Sequence, residues 1–309
     1  MRVLVTAATG PYLYHLAPLA WALRTAGHEV RAAVPAGVVE AARGSGLAAV
    51  EAGGEGEDIA GLVAAARSWP AELVVWDGHS VGGGIAARVA GAAHVRVLSA
   101  PHVAPGPEAT RRLTDLAGAY GLAFTEDLVF GQATVDPLPP GVSGFRGSGH
   151  LPVRPVPYDG PAAVPAFLHK KARRPRVLVT GGEAEGVAVV LDAVAEIDAE
   201  IVVTVDSARL PAGTRVPRHV RLLEPMPAHV LLPFCSAVVH DGAPLTGAAA
   251  AVRGVPQLDL TDGAAGLAER VARLLDDPGV RDAAERLRDE LAERPSPGGL
   301  VPELEGLVR

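Results

Sequence analysis

The sequence is poor in cysteine and in aromatic residues. Its single cysteine, Cys235, excludes an intramolecular disulfide and indicates a reducing compartment. That cysteine lies in the apolar run Val230–Val239, which predicts a small, buried hydrophobic side chain. Aromatic residues make up 4% of the chain, so alanine, valine and leucine must fill its cores, as they do in sheets covered by helices.

Positive charge is also scarce, because the 309 residues carry a formal net charge of −7. A nucleic-acid or anionic-membrane surface needs clustered lysine and arginine, so the composition argues against both partners. One basic run stands between Pro165 and the start of the second half of the chain. Its members are Lys170, Lys171, Arg173, Arg174 and Arg176. The prolines around it indicate a solvated interdomain linker.

Long apolar runs are missing as well. No apolar stretch reaches the roughly 18 residues that a membrane-spanning helix needs. Met1 leads directly into Arg2–Thr6, a strand pattern without the basic start and apolar helix of a signal peptide. We therefore expect a cytoplasmic protein that does not contact membranes.

The chain contains an internal sequence repeat. The pentapeptide Arg2–Thr6 recurs unchanged as Arg176–Thr180, and in both places a β-branched run gives way to small residues and a helical pattern. Strand patterns such as Glu72–Asp77 and Glu200–Val205 alternate with helical ones along the rest of the chain. The alternation predicts parallel sheets, and therefore two doubly wound, Rossmann-like α/β domains.

A proline-rich stretch, residues 136–175, marks the boundary between the halves. We expect an N-terminal domain at 1–165 and a C-terminal domain at 174–309. Ligands of such domains bind at the carboxyl ends of the strands. The charged segment Ala264–Arg294 predicts helices near the end of the chain.

Eight segments, taken in order, carry a family resemblance. They are Met1–Thr6, Pro18–Val30, Val74–Asp77, Gly131–Pro139, Val156–Pro161, Val238–His240, Gly254–Gln257 and Pro295–Pro297. Together they resemble the bacterial glycosyltransferases that decorate macrolides, anthracyclines and enediynes. The resemblance implies the GT-B fold, with two facing Rossmann-like domains and a cleft between them.

The resemblance also implies a division of labour between the domains. The N-terminal domain would bind a hydrophobic, polyketide-like acceptor, and the C-terminal domain would bind a nucleoside diphosphate sugar (NDP-sugar) as co-substrate. Transfer would invert the anomeric centre with neither a metal nor a cofactor. A histidine would deprotonate the acceptor hydroxyl, and an aspartate would orient that histidine.

The N-terminal, acceptor-binding half departs from the family pattern at the residue that acts as the general base. The family's catalytic histidine is replaced by Tyr12, whose phenol is a poor base because its ordinary pKa lies near 10. His15 lies one helical turn deeper and is either a substitute base or a histidine satisfied by the backbone. Asp77 matches the orienting aspartate at a strand end, and the nearby His79 is interpreted as a loop residue.

The donor half departs further. Where the family has a second histidine and a glycine-rich turn, this chain continues from His240 as Asp-Gly-Ala-Pro-Leu-Thr. Asp241 would bring a carboxylate toward the diphosphate, while Pro244 removes a backbone donor and Leu245 adds bulk. The donor-binding candidates are His240, Asp241, Gly242, Thr246, Gly181 and Gly182.

The region beyond Gln257 is shorter than in the family. It runs almost directly into the last helices, so the family's Asp-Gln pair for the sugar hydroxyls is missing. His240, Asp241, Asp259 and Asp262 have no recognisable metal-ligand spacing, and no metal site is predicted.

Three functions stay open from the sequence. The first is an active hexosyltransferase that uses His15 or Tyr12 with Asp77. The second is a pseudoenzyme with a degenerate donor site, an auxiliary protein that binds an aglycone, forms a homodimer or assists an active glycosyltransferase. The third is a repurposed enzyme whose acid-base chemistry takes place in the acceptor pocket.

Overall fold

The computed structural model of the chain describes residues 1–52, 59–170, 172–181, 184–195, 197–261, 263 and 265–308. Its strands are β1 Arg2–Thr6, β2 Glu29–Val34, β3 Ala48–Glu51, β4 Leu73–Asp77, β5 Ala93–Val97, β6 Ala133–Asp136, β7 His150–Pro152, β8 Arg176–Thr180, β9 Glu200–Thr204, β10 Val220–Leu223, β11 Ala237–His240 and β12 Gln257–Asp259. Within the described residues they form two sheets in which all pairs are parallel.

Helices alternate with these strands. They are α1 Gly10–Thr25, α2 Val39–Gly44, α3 Ile59–Ser68, α4 Gly82–Ala90, α5 Pro107–Gly118, α6 Asp127–Phe130, α7 Ala184–Ala193, α8 Ala228–Leu231, α9 Pro244–Arg253, α10 Leu267–Asp276, α11 Pro278–Glu293 and α12 Val301–Gly306. The predicted segment Ala264–Arg294 is two helices, α10 and α11, because the chain leaves the helical conformation at Asp277.

The first sheet has the strand order β3-β2-β1-β4-β5-β6-β7. All five residues of β4 are buried, as expected for a central strand covered on both faces. The sheet reverses its winding between β1 and β4, where Thr6 pairs with Trp76. A reversal of this kind opens a crevice at the carboxyl ends of the two strands. It therefore places Asp77, the last residue of β4, at a binding edge.

The second sheet has the strand order β10-β9-β8-β11-β12. Its winding reverses between β8 and β11, where Thr180 pairs with His240. The repeated pentapeptide thus forms the strand beside the reversal in both sheets. The predicted fold class, α/β with two doubly wound parallel sheets, is confirmed.

The chain divides into two compact units. The first contains the residues up to Gly160 and the segment that begins at Arg294, and the second is Pro161–Glu293. The terminal segment belongs to the first unit because Leu300 and Leu304 are buried in its core, and because Arg294 donates to Leu138 O. This placement differs from the predicted C-terminal domain, 174–309, which included that segment.

The basic run is only partly the linker that its prolines indicate. Lys170, Arg173 and Arg174 are exposed, but Arg176 is the first residue of β8 and is 3% exposed. Cys235 is partly buried and donates to Leu231 O, and burial raises the pKa of its thiol to about 12. In the part of the chain that is described, no helix combines the length and apolarity required to cross a membrane.

Candidate functional site

The acceptor-side candidates lie at the carboxyl edge of the first sheet. Tyr12 and His15 belong to the first turns of α1, which follows β1, and Asp77 ends β4. Pro11 suits the start of that helix because its fixed φ is already helical and its missing N–H would have no intrahelical partner. The sheet reversal thus brings the start of α1 next to the end of β4.

Asp77 is bonded to His79 rather than to His15. Its carboxylate is completely buried, and Oδ1 accepts from the His79 backbone N at 2.8 Å and from the His79 ring Nδ1 at 3.0 Å. Ser99 Oγ lies 3.2 Å from the same ring nitrogen. The ring is therefore held by a carboxylate two residues earlier in the chain and by a serine beyond the end of β5.

These contacts define the tautomer of neutral His79. Because Asp77 can only accept, the proton of neutral His79 lies on Nδ1, and the lone pair of Nε2 remains available. The hydrogen bond to Asp77 raises the pKa of His79, and the charge of Asp77 acts in the same direction against the opposing effect of burial. An imidazole whose second nitrogen is fixed by a carboxylate is the arrangement of a general base.

The ring of Tyr12 stacks on that of His79. The two ring centroids are 4.4 Å apart, and the planes differ by 1°. Burial and the charge of Asp77 both raise the pKa of the Tyr12 phenol, which makes it a weaker candidate for a phenolate base. Tyr12 therefore packs against one face of the His79 ring and restricts its orientation.

His15 points to the backbone of a neighbouring strand end. Its Nε2 lies 2.6 Å from Leu98 O, so this nitrogen is the donor and carries the proton. Burial is the main cause of the lowered pKa of His15, although the Leu98 bond and the charges of Asp77 and Asp136 oppose it. His15 is therefore a neutral histidine satisfied by the backbone, one of the two alternatives that the sequence left open.

An apolar and aromatic cluster continues from this edge. Leu98 packs with Leu138 and Phe145, and Phe130 lies against them. The buried guanidinium of Arg96 lies 4.9 Å from the centroid of the Phe145 ring and 5.1 Å from that of Phe130. Burial lowers the pKa of Arg96 to about 10, so it stays charged near neutral pH and attracts the Asp77 carboxylate.

On the donor side, both ring nitrogens of His240 form hydrogen bonds within the protein. The Gly242 backbone N donates to His240 Nδ1 at 3.1 Å, so the proton of the neutral ring must lie on Nε2. Nε2 then donates to Gln257 Oε1 at 3.0 Å. These two bonds hold the turn after β11 against β12.

The Asp241 carboxylate packs against Gly181, the residue that follows β8. Gly181 has φ +83°, and a Cβ placed there would overlap this carboxylate. Asp241 Oδ1 also accepts from the Ala243 N at 3.3 Å, a contact that keeps the carboxylate at the entrance to α9. Gly242 has φ +84°, and a Cβ at this residue would lie 3.1 Å from Asp259 Oδ2.

The first turn of α9 supplies the remaining donor-side groups. Pro244 is its first residue, and Thr246 is buried with 9% exposure. A helix start leaves amide N–H groups unpaired, and the helix dipole favours an anion there. Gly182 lies outside the described residues. Among the residues described, no cluster of three or more His, Cys, Asp or Glu side chains could hold a metal ion.

Comparison with known proteins agrees with this architecture. The N-terminal domain of the erythromycin biosynthesis protein CIII-like family matches residues 55–182, and the C-terminal domain of that family matches residues 188–266. The 10-deoxymethynolide desosaminyltransferase of Streptomyces venezuelae is 33% identical over 414 residues, with 100% of this chain and 97% of the relative covered. The chain therefore belongs to the antibiotic-type GT-B glycosyltransferases.

Other relatives and solved structures support the same family. The aklavinone 7-beta-L-rhodosaminyltransferase of Streptomyces galilaeus is 33% identical, with coverage of 100% of this chain and 96% of the relative. The structure of the spinosyn forosaminyltransferase SpnP superimposes with a TM-score of 0.89 at 33% identity, covering 100% and 99% of the two chains. The glycosyltransferase VinC in complex with DTDP gives 0.89 at 30% identity with the same coverage.

The chain is shorter than these relatives. The first alignment runs over 414 positions and this chain has 309 residues, so about 105 aligned positions have no residue here. In this chain α10 begins at Leu267, eight positions after Asp259 ends β12. That the chain is shortened beyond Gln257 stays a prediction.

Proposed function

We propose that this chain transfers a sugar from an NDP-sugar to a hydroxyl of a hydrophobic natural product, with inversion and without a metal. Two enzymes that support the proposal are a desosaminyltransferase and a rhodosaminyltransferase, each 33% identical to this chain across its whole length. The observation that carries the proposal is the bonded pair of Asp77 and His79 at the carboxyl edge of the first sheet.

The pair supplies the proton acceptor that the substitution by Tyr12 removed. His79 Nε2 takes the proton of the acceptor hydroxyl while the hydroxyl oxygen forms its bond to the anomeric carbon. The bond from that carbon to the diphosphate oxygen breaks, and the diphosphate departs with the electron pair. Asp77 stabilises the positive charge that develops on His79. Attack from the face opposite the leaving group inverts the anomeric centre.

An apolar core supports the strand end beside the pair. Leu98 and Phe145 are buried in this cluster, with 4% and 2% exposure, and Phe130 packs against it. Leu98 directly precedes Ser99, whose hydroxyl contacts the His79 ring, so the buried cluster fixes the side chain that positions the base. The acceptor would offer its hydroxyl to Nε2 of this ring.

The donor would use the start of α9. Its amide N–H groups and dipole favour a diphosphate, which removes any need for a metal counter-ion. VinC, crystallised in complex with DTDP, makes thymidine diphosphate the first probe to test. Asp241 lies at this helix start, so we expect donor affinity below that of a turn built from glycine alone.

The test is product formation by the purified protein. It is incubated with NDP-sugars and macrolide or anthracycline aglycones in the presence of EDTA, and glycosides are detected by mass spectrometry. We expect a glycoside with inverted anomeric configuration and no loss of rate with EDTA. Retained configuration, or transfer that EDTA abolishes, would contradict the mechanism.

A second candidate is favoured by the position of Asp241. Its carboxylate lies over Gly181 and bonds the entrance of α9, where the diphosphate would bind. On this alternative the chain is a pseudoenzyme that binds an aglycone, as a homodimer or with an active glycosyltransferase, or it carries out acid-base chemistry with Asp77 and His79. A ligand at one hundred times its dissociation constant adds about 2.7 kcal/mol of stability. A thermal shift with aglycones but not with thymidine diphosphate would favour this candidate.

A further inference from the structure

A positively charged cavity lies at the amino ends of β8, β9 and β10. It has a volume of about 400 Å³, and its lining includes Phe167, Lys170, Arg173, Arg176, Glu200 and Arg221. Arg176 and Glu200 begin β8 and β9, and Arg221 is the second residue of β10. Because the strands are parallel, this edge of the sheet is opposite to the one that carries Thr180 and His240.

One ion pair forms the base of the cavity. Arg176 is 3% exposed and binds Glu200 with two hydrogen bonds of 3.1 Å, while its third nitrogen donates to Phe234 O at 3.1 Å. Arg176 and Glu200 therefore neutralise each other. Because a bidentate pair restricts both side chains, Arg176 and Glu200 form a rigid base of the cavity.

Further basic side chains lie around this ion pair. Arg221 stacks on Phe167, with its guanidinium carbon 4.3 Å from the ring centroid. No acidic side chain of the described residues forms an ion pair with Arg221, Lys170 or Arg173, although Arg174 pairs with Asp198 at 2.6 Å. Three positive charges thus surround the cavity in a chain whose net charge is −7.

We propose that this cavity binds a small, multiply charged phosphorylated anion, at a site separate from the donor edge. A volume of about 400 Å³ lies within the range of small-molecule sites, roughly 300–1,000 Å³, and is too small for a folded partner. Phosphate groups match the chemistry of the cavity because arginine binds them in bidentate fashion and lysine offers a point charge.

Calorimetric titration with inorganic triphosphate tests the proposal on the full-length protein. Binding is measured for the wild type and for Arg221→Gln and Arg173→Gln, two exposed positions where glutamine removes the charge and, at Arg221, also the stacking on Phe167. We expect each substitution to weaken binding by about tenfold, the loss of one hydrogen-bonded charge. Arg286→Gln on the exposed side of α11 is the matched control and should bind like the wild type.

A donor-edge variant distinguishes the two anion sites. Thr246→Ala should leave the affinity for triphosphate unchanged if the anion occupies the basic cavity. Loss of binding in Thr246→Ala with none in Arg221→Gln would place the anion at α9 and overturn the proposal. Equal weakening in Arg286→Gln and Arg221→Gln would show a general effect of net charge and would overturn it as well. Melting curves confirm that each variant is folded.

Discussion

Among single side chains, the contact between Asp77 and His79 distinguishes His79 from His15 as the candidate base. Each neutral ring donates from one nitrogen and keeps a lone pair on the other, but His15 donates to the Leu98 carbonyl, whereas His79 donates to a carboxylate that stabilises its charged form. Burial lowers the pKa of His15, and the bond to Asp77 raises the pKa of His79. The position of Asp77 at a strand end predicted a role in the site, whereas the sequence indicated only a loop residue at His79. The available signal was the spacing Asp77-Gly-His79, since an aspartate readily bonds the backbone two residues later and brings that side chain close.

The substitution Asp77→Asn tests this pairing through pH. The carboxylate raises the pKa of His79, so the base form needed for transfer is lost as pH falls through that raised pKa. Asparagine removes the charge, so the pKa of His79 should fall and the acidic limb of kcat/KM should move to lower pH. The maximal rate should also fall, because the developing imidazolium loses its counter-ion. NMR titration of the His79 ring measures the pKa directly.

The same linkage has a consequence for stability. A group whose pKa is raised on folding stabilises the protein fully below its unfolded pKa, and this contribution is lost as pH rises through the folded pKa. The free energy lost in Asp77→Asn should therefore be larger at pH 5.5 than at pH 8. An equal loss at both values would contradict an ion pair between Asp77 and His79.

Asp241 is the residue that we expect to limit binding at the proposed donor site. Asp241→Asn keeps the oxygen that accepts from Ala243 N but removes the negative charge next to the diphosphate. We expect thymidine diphosphate to bind at least about fivefold more tightly, a moderate gain because water screens this exposed carboxylate. Asp282→Asn, an exposed position on α11, is the matched control in the same titration and should have no effect. Unchanged affinity in Asp241→Asn would show that the carboxylate is not the obstacle.

Individual elements were predictable where hydrophobic periodicity was strong. The repeated pentapeptide indicated β1 and β8, and the alternation of patterns indicated the parallel sheets. The segment Ala264–Arg294 predicted more than one helix but not the position of the break at Asp277, because the charged periodicity continues across it while the helical backbone does not. Side-chain contacts such as the Gly242 bond to His240 depend on backbone turns that composition does not determine.

The packing of α4 on β4 depends on a single glycine. A Cβ at Gly83 would lie 2.8 Å from Trp76 Cγ and 3.0 Å from Thr6 Cγ2, and Trp76 is fully buried. Gly83→Ala should therefore lower the free energy of unfolding by about 1–3 kcal/mol through overpacking. The shift of α4 should also disturb the His79 loop that precedes it.

The control for this substitution is Gly118→Ala at the end of α5. A Cβ added at Gly118 would meet no atom of the described residues within 4 Å, so alanine should be neutral or stabilising by about 0.5–1 kcal/mol. Chemical denaturation measures both variants. A Gly83→Ala protein as stable as the wild type would contradict the close approach of α4 to Trp76.

For the whole molecule, the terminal segment joins the first unit rather than the one that precedes it in sequence. The order along the chain predicted that this segment belongs to the C-terminal domain, because nothing in its sequence indicates which core its apolar residues join. Leu304 is completely buried in the first core, so Leu304→Ala should destabilise it by about 2–5 kcal/mol. The neighbouring exposed Glu303→Ala should change stability by less than about 0.5 kcal/mol.

Hydrogen exchange locates the effect of these two variants. In Leu304→Ala, faster exchange should appear in β1 and α1, whose buried residues share the core with Leu304. The strands β8 and β9 contribute to a separate core and should keep their protection. Equal loss of protection in both sheets would contradict the assignment of the terminal segment to the first unit.

The rate of sugar transfer by His79→Gln, compared with His15→Gln, tests the central claim most directly. A positioned general base contributes about 10²–10⁴-fold, so His79→Gln should reduce kcat by at least about 100-fold at neutral pH. His15→Gln, corrected for its folded fraction, should keep most of the wild-type rate. A His79→Gln protein that transfers sugar at the wild-type rate would contradict the assignment of the base to the Asp77–His79 pair.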